Sequence, residues 1–266
     1  MPSPRLADKV VIVTGGASGF GASICTTFAS HGARVLVADI NLAGAQAVAS
    51  SAGSDSESDS EAEAGAGTMV AVQMDVTSRA DWEKVVQLAV RTWGAVDVLV
   101  NCAGGTYRNK PSANVTSAEF DRVFELNVKS IYLASQTFIP QLLKQGRGGS
   151  MINISSTGAQ RPRPGLVWYN ASKGAVSNAT KGLAAEYGPS QIRTNTVSPL
   201  LSGTGLFESF TGVSDTPENR DKFVSNVPLG RLCDAADVAA ACTYLASEEA
   251  AFVNGAEIVV DGGKCV

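Results

Sequence analysis

A chain of 266 residues that is 44% hydrophobic, with 21 basic and 25 acidic residues, can bury a sizeable core as one α/β domain. Most of its net charge of −4 sits in Asp55, Glu57, Asp59, Glu61 and Glu63; without those five it carries 20 acids against 21 bases, with no basic stripe to bind nucleic acid. A lone His31, five scattered cysteines and no apolar run near the ~18 residues of a membrane span argue against a histidine metal site, a disulfide framework and a membrane protein, so a cytoplasmic chain without a metal is expected.

The first predicted element is a strand over the apolar run Val10–Val13, suited to burial on both faces of a parallel sheet. It ends in Thr14-Gly-Gly-Ala-Ser-Gly-Phe-Gly21. Gly15, Gly19 and Gly21 let the backbone turn sharply and approach a pyrophosphate, while N–H groups of the next helix, from Ser18 and Phe20 onward, point at the anion. The spacing G-x-x-x-G-x-G meets the dinucleotide fingerprint by mechanism and not by letter.

A helix is predicted over 20–30, with Ile24 and Phe28 facing the sheet, and a strand over 33–39. That strand ends in Asp39, 18 residues beyond Gly21, where a dinucleotide site places a carboxylate for the adenosine ribose. Asp39, with Ile40 beside it, argues for NAD over NADP, because a 2′-phosphate would meet a like charge and no nearby cation. The alternative is a turn or cap residue before a helix at 42–50. Residues 51–67 contain no large apolar side chain and read as an acidic surface insertion. After a strand at 69–74, Asp75 and Val76 lie at the carboxyl edge of the sheet, where Asp75 either meets the adenine or starts a turn. Ser78 and Asp81 then cap a helix with an apolar face of Trp82, Val85, Val86, Ala89 and Trp93.

The next strand, 96–101, runs into Cys102-Ala-Gly-Gly105, whose small residues bring the backbone of Asn101, Ala103 and Gly104 within reach of a cofactor. Thr116-Ser-Ala-Glu119 is a capping box before one long helix to about 145, with Phe120, Phe124, Ile131 and Phe138 as core candidates. Asn127 falls on that apolar stripe and must bond a kink's free carbonyl, a water or a structural partner. A strand over 149–156 ends in Ser155 and Ser156. In the loop 157–167, Arg161 and Arg163 are expected to face solvent, the alternative being an acidic substrate. Trp168 either walls the site or packs. Tyr169 and Lys173, four apart on the following helix, share one face.

A strand over 191–197 leaves through Pro199 into a long stretch, 200–227, expected to be a partly mobile lid with Gly203, Gly205 and Gly212 as joints and Leu206, Phe207 and Phe210 as its apolar piece. The alternative is that these aromatics pack into the core. A helix over 234–247 and a strand over 257–260 complete the chain.

Together these residues resemble the short-chain dehydrogenase/reductase family over nearly the whole length. Thr14 to Gly21 is similar to its nucleotide-binding turn, Asn101-Cys-Ala-Gly104 to its NNAG turn, and Tyr169-Asn-Ala-Ser-Lys173 to its Tyr-x-x-x-Lys; Pro228-Leu-Gly-Arg231 and Val260-Asp-Gly-Gly263 resemble its C-terminal signatures. Asn127 and Ser156 match its other two catalytic positions, Ser156 being preferred to Ser155 because 13 residues separate it from Tyr169, as is usual in the family. Leu200 stands where a glycine often follows Val197-Ser-Pro199, leaving Pro199 and Thr204 at the nicotinamide end.

The resemblance implies a single Rossmann-type, doubly wound α/β domain over 1–266, about seven parallel strands with helices on both faces, binding NAD (NAD+/NADH) and interconverting a small secondary alcohol and a ketone. A proton must move at oxygen while hydride moves at carbon, and a phenol of pKa ≈ 10 is a poor base near neutrality. Lys173 and the positive nicotinamide would lower that pKa. The family implies further that Lys173 bonds the nicotinamide ribose, that Ser156 holds the substrate oxygen, that Asn127 anchors a water linking Lys173 to solvent, and that the chain forms a homo-oligomer, commonly a tetramer. An NADPH-type 3-oxoacyl reductase and a non-catalytic dinucleotide-binding regulatory module are the alternatives. Asp39 opposes the first and the intact tetrad the second.

Overall fold

The computed structural model describes residues 4–51, 67–202 and 207–266. The acidic insertion, beyond its two end residues, and Gly203, Thr204, Gly205 and Leu206 lie outside the described residues.

Seven strands, β1 (Val10–Thr14), β2 (Arg34–Asp39), β3 (Met69–Gln73), β4 (Val98–Asn101), β5 (Gly149–Ile154), β6 (Ile192–Pro199) and β7 (Glu257–Val260), form one sheet in the order β3-β2-β1-β4-β5-β6-β7. Every pairing is parallel. The helices are α1 (Gly19–Ser30), α2 (Leu42–Ser51), α3 (Arg79–Trp93), α4 (Ser117–Phe124), α5 (Ser130–Gln145), α6 (Val167–Tyr187), α7 (Phe207–Thr211), α8 (Pro217–Val224) and α9 (Ala235–Ala246).

Alternation along each strand divides the core into two layers. Val11, Val13, Val35 and Val37 pack with Ile24 and Phe28 of α1 and Val238 and Leu245 of α9. On the other face, Ile12, Leu36 and Leu99 meet Trp82 and Val85 of α3, Phe138 and Leu142 of α5 and Val176 of α6. Burial of each such side chain stabilises the fold by about 1.5–3 kcal/mol, which is why β1, β2 and β4 read as continuous apolar runs.

The register aligns the strand ends. Thr14 lies opposite Ala38 and Asn101, Asn101 opposite Asn153, and Ile154 opposite Val197, so the turns after β1, β2, β4, β5 and β6 leave one edge of the sheet. Chain direction across the sheet reverses between β1 and β4, which opens a crevice at their carboxyl ends.

Two local differences from the sequence reading have physical causes. β4 starts at Val98 and not at residue 96, because side chains take the ladder's bonds: Gln145 exchanges hydrogen bonds with the Val96 backbone, and Asp97 accepts the Val10 N–H. The helix expected over 118–145 is interrupted by a π-helical turn at Glu125–Lys129, closed by Ser130 N–H donating to the Glu125 carbonyl. The extra residue shifts the helical face. Ile131 and Phe138 are buried as expected, whereas Phe120 and Phe124 are half-buried, stacked at 4.5 Å, and Val123 takes the core position.

Candidate active site

The crevice is a cavity of about 630 Å³ bordered by Gly15, Gly19 and Gly21 at β1, Asp39 at β2, Ala103 and Gly104 at β4, Ser156 and Tyr169 beyond β5, and Pro199 at β6. Gly15 (φ 68°) and Gly19 (φ 52°) occupy the left-handed region. A Cβ on Gly15 would stand 2.9 Å from the Ala103 backbone, and one on Gly21 only 2.0 Å from the Gly15 carbonyl, so this close turn admits only glycine. Ser18 precedes α1 without a capping bond from its side chain, which leaves the first N–H groups of a 12-residue helix facing the cavity. A glycine cradle under unclaimed donors fits a dinucleotide pyrophosphate.

Thr14, absent from the residues that the sequence marks for the site, locks the switch point. Its Oγ1 accepts the N–H groups of Cys102 (3.1 Å) and Ala103 (3.2 Å), binding the turn after β4 to the end of β1. A hydroxyl on a strand's last residue is the signal that could have found it.

Asp39 borders the cavity and is also held by backbone, accepting from Ala17 N–H (3.0 Å) and Asn41 N–H (2.9 Å). It is thus the turn residue of one sequence reading, and its place on the cavity leaves the other open. Asp75 likewise forms a turn, its Oδ1 accepting from the N–H and hydroxyl of Thr77, while Asp75, Val76 and Ile40 line the same end of the cavity. Asn101, whose backbone is expected to come within reach of a cofactor, turns its side chain into the sheet, donating to Asn153 Oδ1 (2.8 Å). Asn153 donates in turn to Thr180 on α6.

At the other end lie Ser156, Tyr169 and Lys173. Tyr169 and Lys173, each 6% exposed, come from the first turns of α6. Ser156 reaches the cavity, where Tyr169 also stands, and its hydroxyl accepts the Gly158 N–H (3.1 Å). Ser155 is committed to the interior, donating to the Lys173 carbonyl and accepting from Ser177. Lys173 Nζ lies 6.0 Å from the Tyr169 ring centre and donates to the Ile154 carbonyl at 2.9 Å.

Burial pushes the Tyr169 hydroxyl up to about 12, against the lowering influence of the nearby Ser156 hydroxyl, and pushes Lys173 down to about 8. The lowered phenol pKa expected from Lys173 is therefore not a property of the protein by itself. Asn127, 1% exposed, bonds the Gly105 backbone and Ser172 Oγ with its side chain. Its Oδ1 and Lys173 Nζ face the same space over Gly104, 3.0 and 3.2 Å from where a Cβ would stand.

Of the loop residues, Arg161 is exposed but Arg163 lines the cavity, contrary to the expectation that both face solvent. Trp168 packs edge-on against Phe120 (5.5 Å) and is not a wall of the cavity. Phe207 is 1% exposed against Phe223, whereas Phe210 borders the cavity with its ring edge-on to Tyr169 at 5.0 Å. Leu200 and Pro199 border it too, and Thr204 lies outside the described residues.

A family model described as enoyl-(acyl carrier protein) reductase matches residues 15–264. The chain is 47% identical to 4-formylbenzenesulfonate dehydrogenase of Comamonas testosteroni over 98% of its own length and 99% of that protein, and 36% identical to cyclopentanol dehydrogenase of the same organism over 97% and 98%. It is also similar to the crystal structure of 3-ketoacyl-(acyl-carrier-protein) reductase from Brucella melitensis complexed with NADH, with a TM-score of 0.87, 36% identity and coverage of 98% and 100%. Among the described residues, no helix is long and apolar enough to cross a membrane.

Proposed function

The chain belongs to the short-chain dehydrogenase/reductase family, and from that premise we propose that it is an NAD(H)-dependent enzyme interconverting a small secondary alcohol and its ketone, with Tyr169 as the acid–base group. The observation that carries this reading is one cavity with Ser156, Tyr169 and Lys173 at one end and Asp39 at the other. When bound, the nicotinamide supplies or accepts a hydride at the substrate carbon.

The chain's own residues do the rest. Backbone from Gly15 to Gly21 holds the pyrophosphate, Asp39 takes the ribose hydroxyls, Ile40, Asp75 and Val76 flank the adenine, and Ala103, Gly104 and Pro199 approach the nicotinamide half. Ser156 orients the substrate oxygen beside the Tyr169 hydroxyl. With its pKa pushed up to about 12, Tyr169 holds its proton and can donate it to a carbonyl oxygen. For oxidation it must lose that proton, and nearby positive charge favours the phenolate. Lys173 brings such a charge and is the residue placed to contact the nicotinamide ribose. Oδ1 of Asn127 and Nζ of Lys173, facing one space, support a water relay from Lys173 to solvent.

Asp39 supports NAD over NADP, since a 2′-phosphate beside a carboxylate already turned inward by two N–H bonds would be repelled. It also speaks against the NADPH-type 3-oxoacyl reductase reading, and the assembled tetrad speaks against a non-catalytic regulatory module. The 47% identical relative is named for an aromatic aldehyde bearing a sulfonate, which supports aryl carbonyl compounds as first substrates to try. We further propose that the chain works as a cytoplasmic homo-oligomer, a tetramer, in which the exposed Tyr132 and Leu143 of α5 are covered, and that 200–227 acts as the substrate lid of a single domain with 51–67 as a surface insertion. A turnover screen of alcohols and ketones with both nucleotides tests the reading, which expects activity with NAD(H) and fails if no alcohol or ketone is converted with either.

A further inference from the structure

Arg163 brings a charge into the cavity that the protein does not neutralise. Among the described residues nothing accepts a hydrogen bond from its guanidinium and no carboxylate pairs with it; the group instead lies over the Phe223 ring, 4.8 Å from its centre, which fixes its plane and leaves its donors free. The loop that carries it is pinned. The Arg163 carbonyl accepts from Asn170 Nδ2 (3.1 Å), Pro164 from Asn109 Nδ2 (3.3 Å) and Gly165 from Lys110 N–H (3.1 Å).

Its charged neighbours make the deficit worse. Arg161 donates to the Lys264 carbonyl at 2.6 Å, and Lys264 is held below its usual pKa by burial and by the charges of Arg161 and Arg163. Asp261, the carboxylate of that corner, is turned to the N–H groups of Gly263 and Cys265. Arg163 is half-buried, so its cation is only partly hydrated, and a guanidinium fork with free donors matches an oxyanion two bonds at a time.

We propose that Arg163 binds a carboxylate or sulfonate carried by the substrate, so that this site selects alcohols and ketones that are anionic away from the reacting carbon. The inference rests on the alcohol–ketone reading above. The phosphate cradle ends β1 and Asp39 ends β2, whereas Arg163 stands in the loop after β5, two and three strands away across the sheet, which favours an anion on the substrate over the nucleotide's phosphates as its partner. Between Arg163 and Tyr169 the wall is Leu166 and Phe210, which suits an apolar or aromatic body to the substrate.

Calorimetry on the NAD+-loaded protein, in which a ketone binds without turning over, compares 4-acetylbenzoate with the neutral 4-methylacetophenone. The anion is expected to bind tighter by about tenfold or more, the worth of a charged hydrogen-bonded pair. In Arg163→Met that ratio falls to near one, and in Arg163→Lys most of it persists, so the charge is tested even if the Met variant folds poorly. Equal affinities in the unmodified protein, no binding of 4-acetylbenzoate, or an unchanged ratio in a folded Arg163→Met overturns the proposal. Reduction of the same ketones with NADH is read separately: a large binding ratio without any turnover supports the anion site and counts against the alcohol–ketone reading alone.

Discussion

Asn127 and Gly105 exchange two hydrogen bonds, the side-chain amide donating to the Gly105 carbonyl at 2.9 Å and accepting the Gly105 N–H at 2.9 Å. The amide completes a rung like that between two strands, but from within the π-helical turn between α4 and α5. Its second N–H reaches Ser172 Oγ, next to Lys173. One side chain thereby sets the turn after β4 against the helix that bears Tyr169 and Lys173.

Replacement of Asn127 by Ala takes the side-chain partner from both Gly105 backbone groups. Because Gly105 is only half-buried and water can reach part of it, the unfolding free energy in denaturant is expected to fall by about 1–3 kcal/mol, the cost of one unsatisfied group, with a loss of turnover. Unchanged stability and turnover in Asn127→Ala would count against this positioning role.

Cofactor choice turns on Asp39. Calorimetry is expected to show tighter binding of NAD(H) than of NADP(H), with the gap narrowed in Asp39→Ala because the repulsion of a 2′-phosphate is removed. Equal affinities in the unmodified protein would refute the assignment. Since Asp39 also anchors the Ala17 and Asn41 N–H groups, the variant is expected to lose some affinity for NAD as well.

Much of this arrangement is legible in the sequence because buried parallel strands leave apolar runs and cofactor turns leave glycines: β1, β2 and the cradle from Gly15 to Gly21 follow directly. The π-helical turn is not, since one additional residue in a helical pattern leaves every local propensity intact and shows only in which of Phe120, Val123 and Phe124 is buried. Arg163 goes against expectation, and the inward turn of the Asn101 side chain is not legible, for a shared reason. Which way a side chain leaves the end of a strand, or a loop, depends on partners far along the chain: Asn153 for the one, Phe223 for the other.

Phe207 and Phe210, which the sequence groups as lid residues, part company in the structure. Phe207→Ala is expected to cost the ~3–5 kcal/mol of a core truncation, whereas Phe210→Ala costs less and acts on catalysis, raising KM or lowering kcat, because its ring faces Tyr169. Denaturant unfolding and steady-state kinetics of the two variants decide. Equal stability losses with unchanged kinetics in Phe210→Ala would assign both rings to the core and remove the lid's contact with substrate.

Lys173 gives stability a pH dependence with a definite sign. Burial holds its pKa at about 8, below the ordinary lysine value of 10.5, so between these values the unfolded chain binds a proton that the folded protein does not. Folding is therefore favoured increasingly as pH rises. From pH 8 to 10 the unmodified protein should gain roughly 2 kcal/mol on Lys173→Met, at ~1.4 kcal/mol for each pH unit over which the two states differ by one proton. Tyr169, raised to about 12, works the other way only above pH 10. Unfolding free energies measured without nucleotide at the two pH values check the sign, and a difference that stays flat or shrinks contradicts the buried, proton-poor Lys173.

The central claim is that the Tyr169 hydroxyl moves the proton at the substrate oxygen. Steady-state turnover of Tyr169→Phe, alongside its nucleotide affinity, tests it most directly, since the change removes one oxygen and keeps the ring against Phe210. The account predicts nucleotide binding close to that of the unmodified protein and a turnover lower by at least the ~10²–10⁴-fold contribution of a positioned acid–base group. Turnover comparable to the unmodified protein would contradict it.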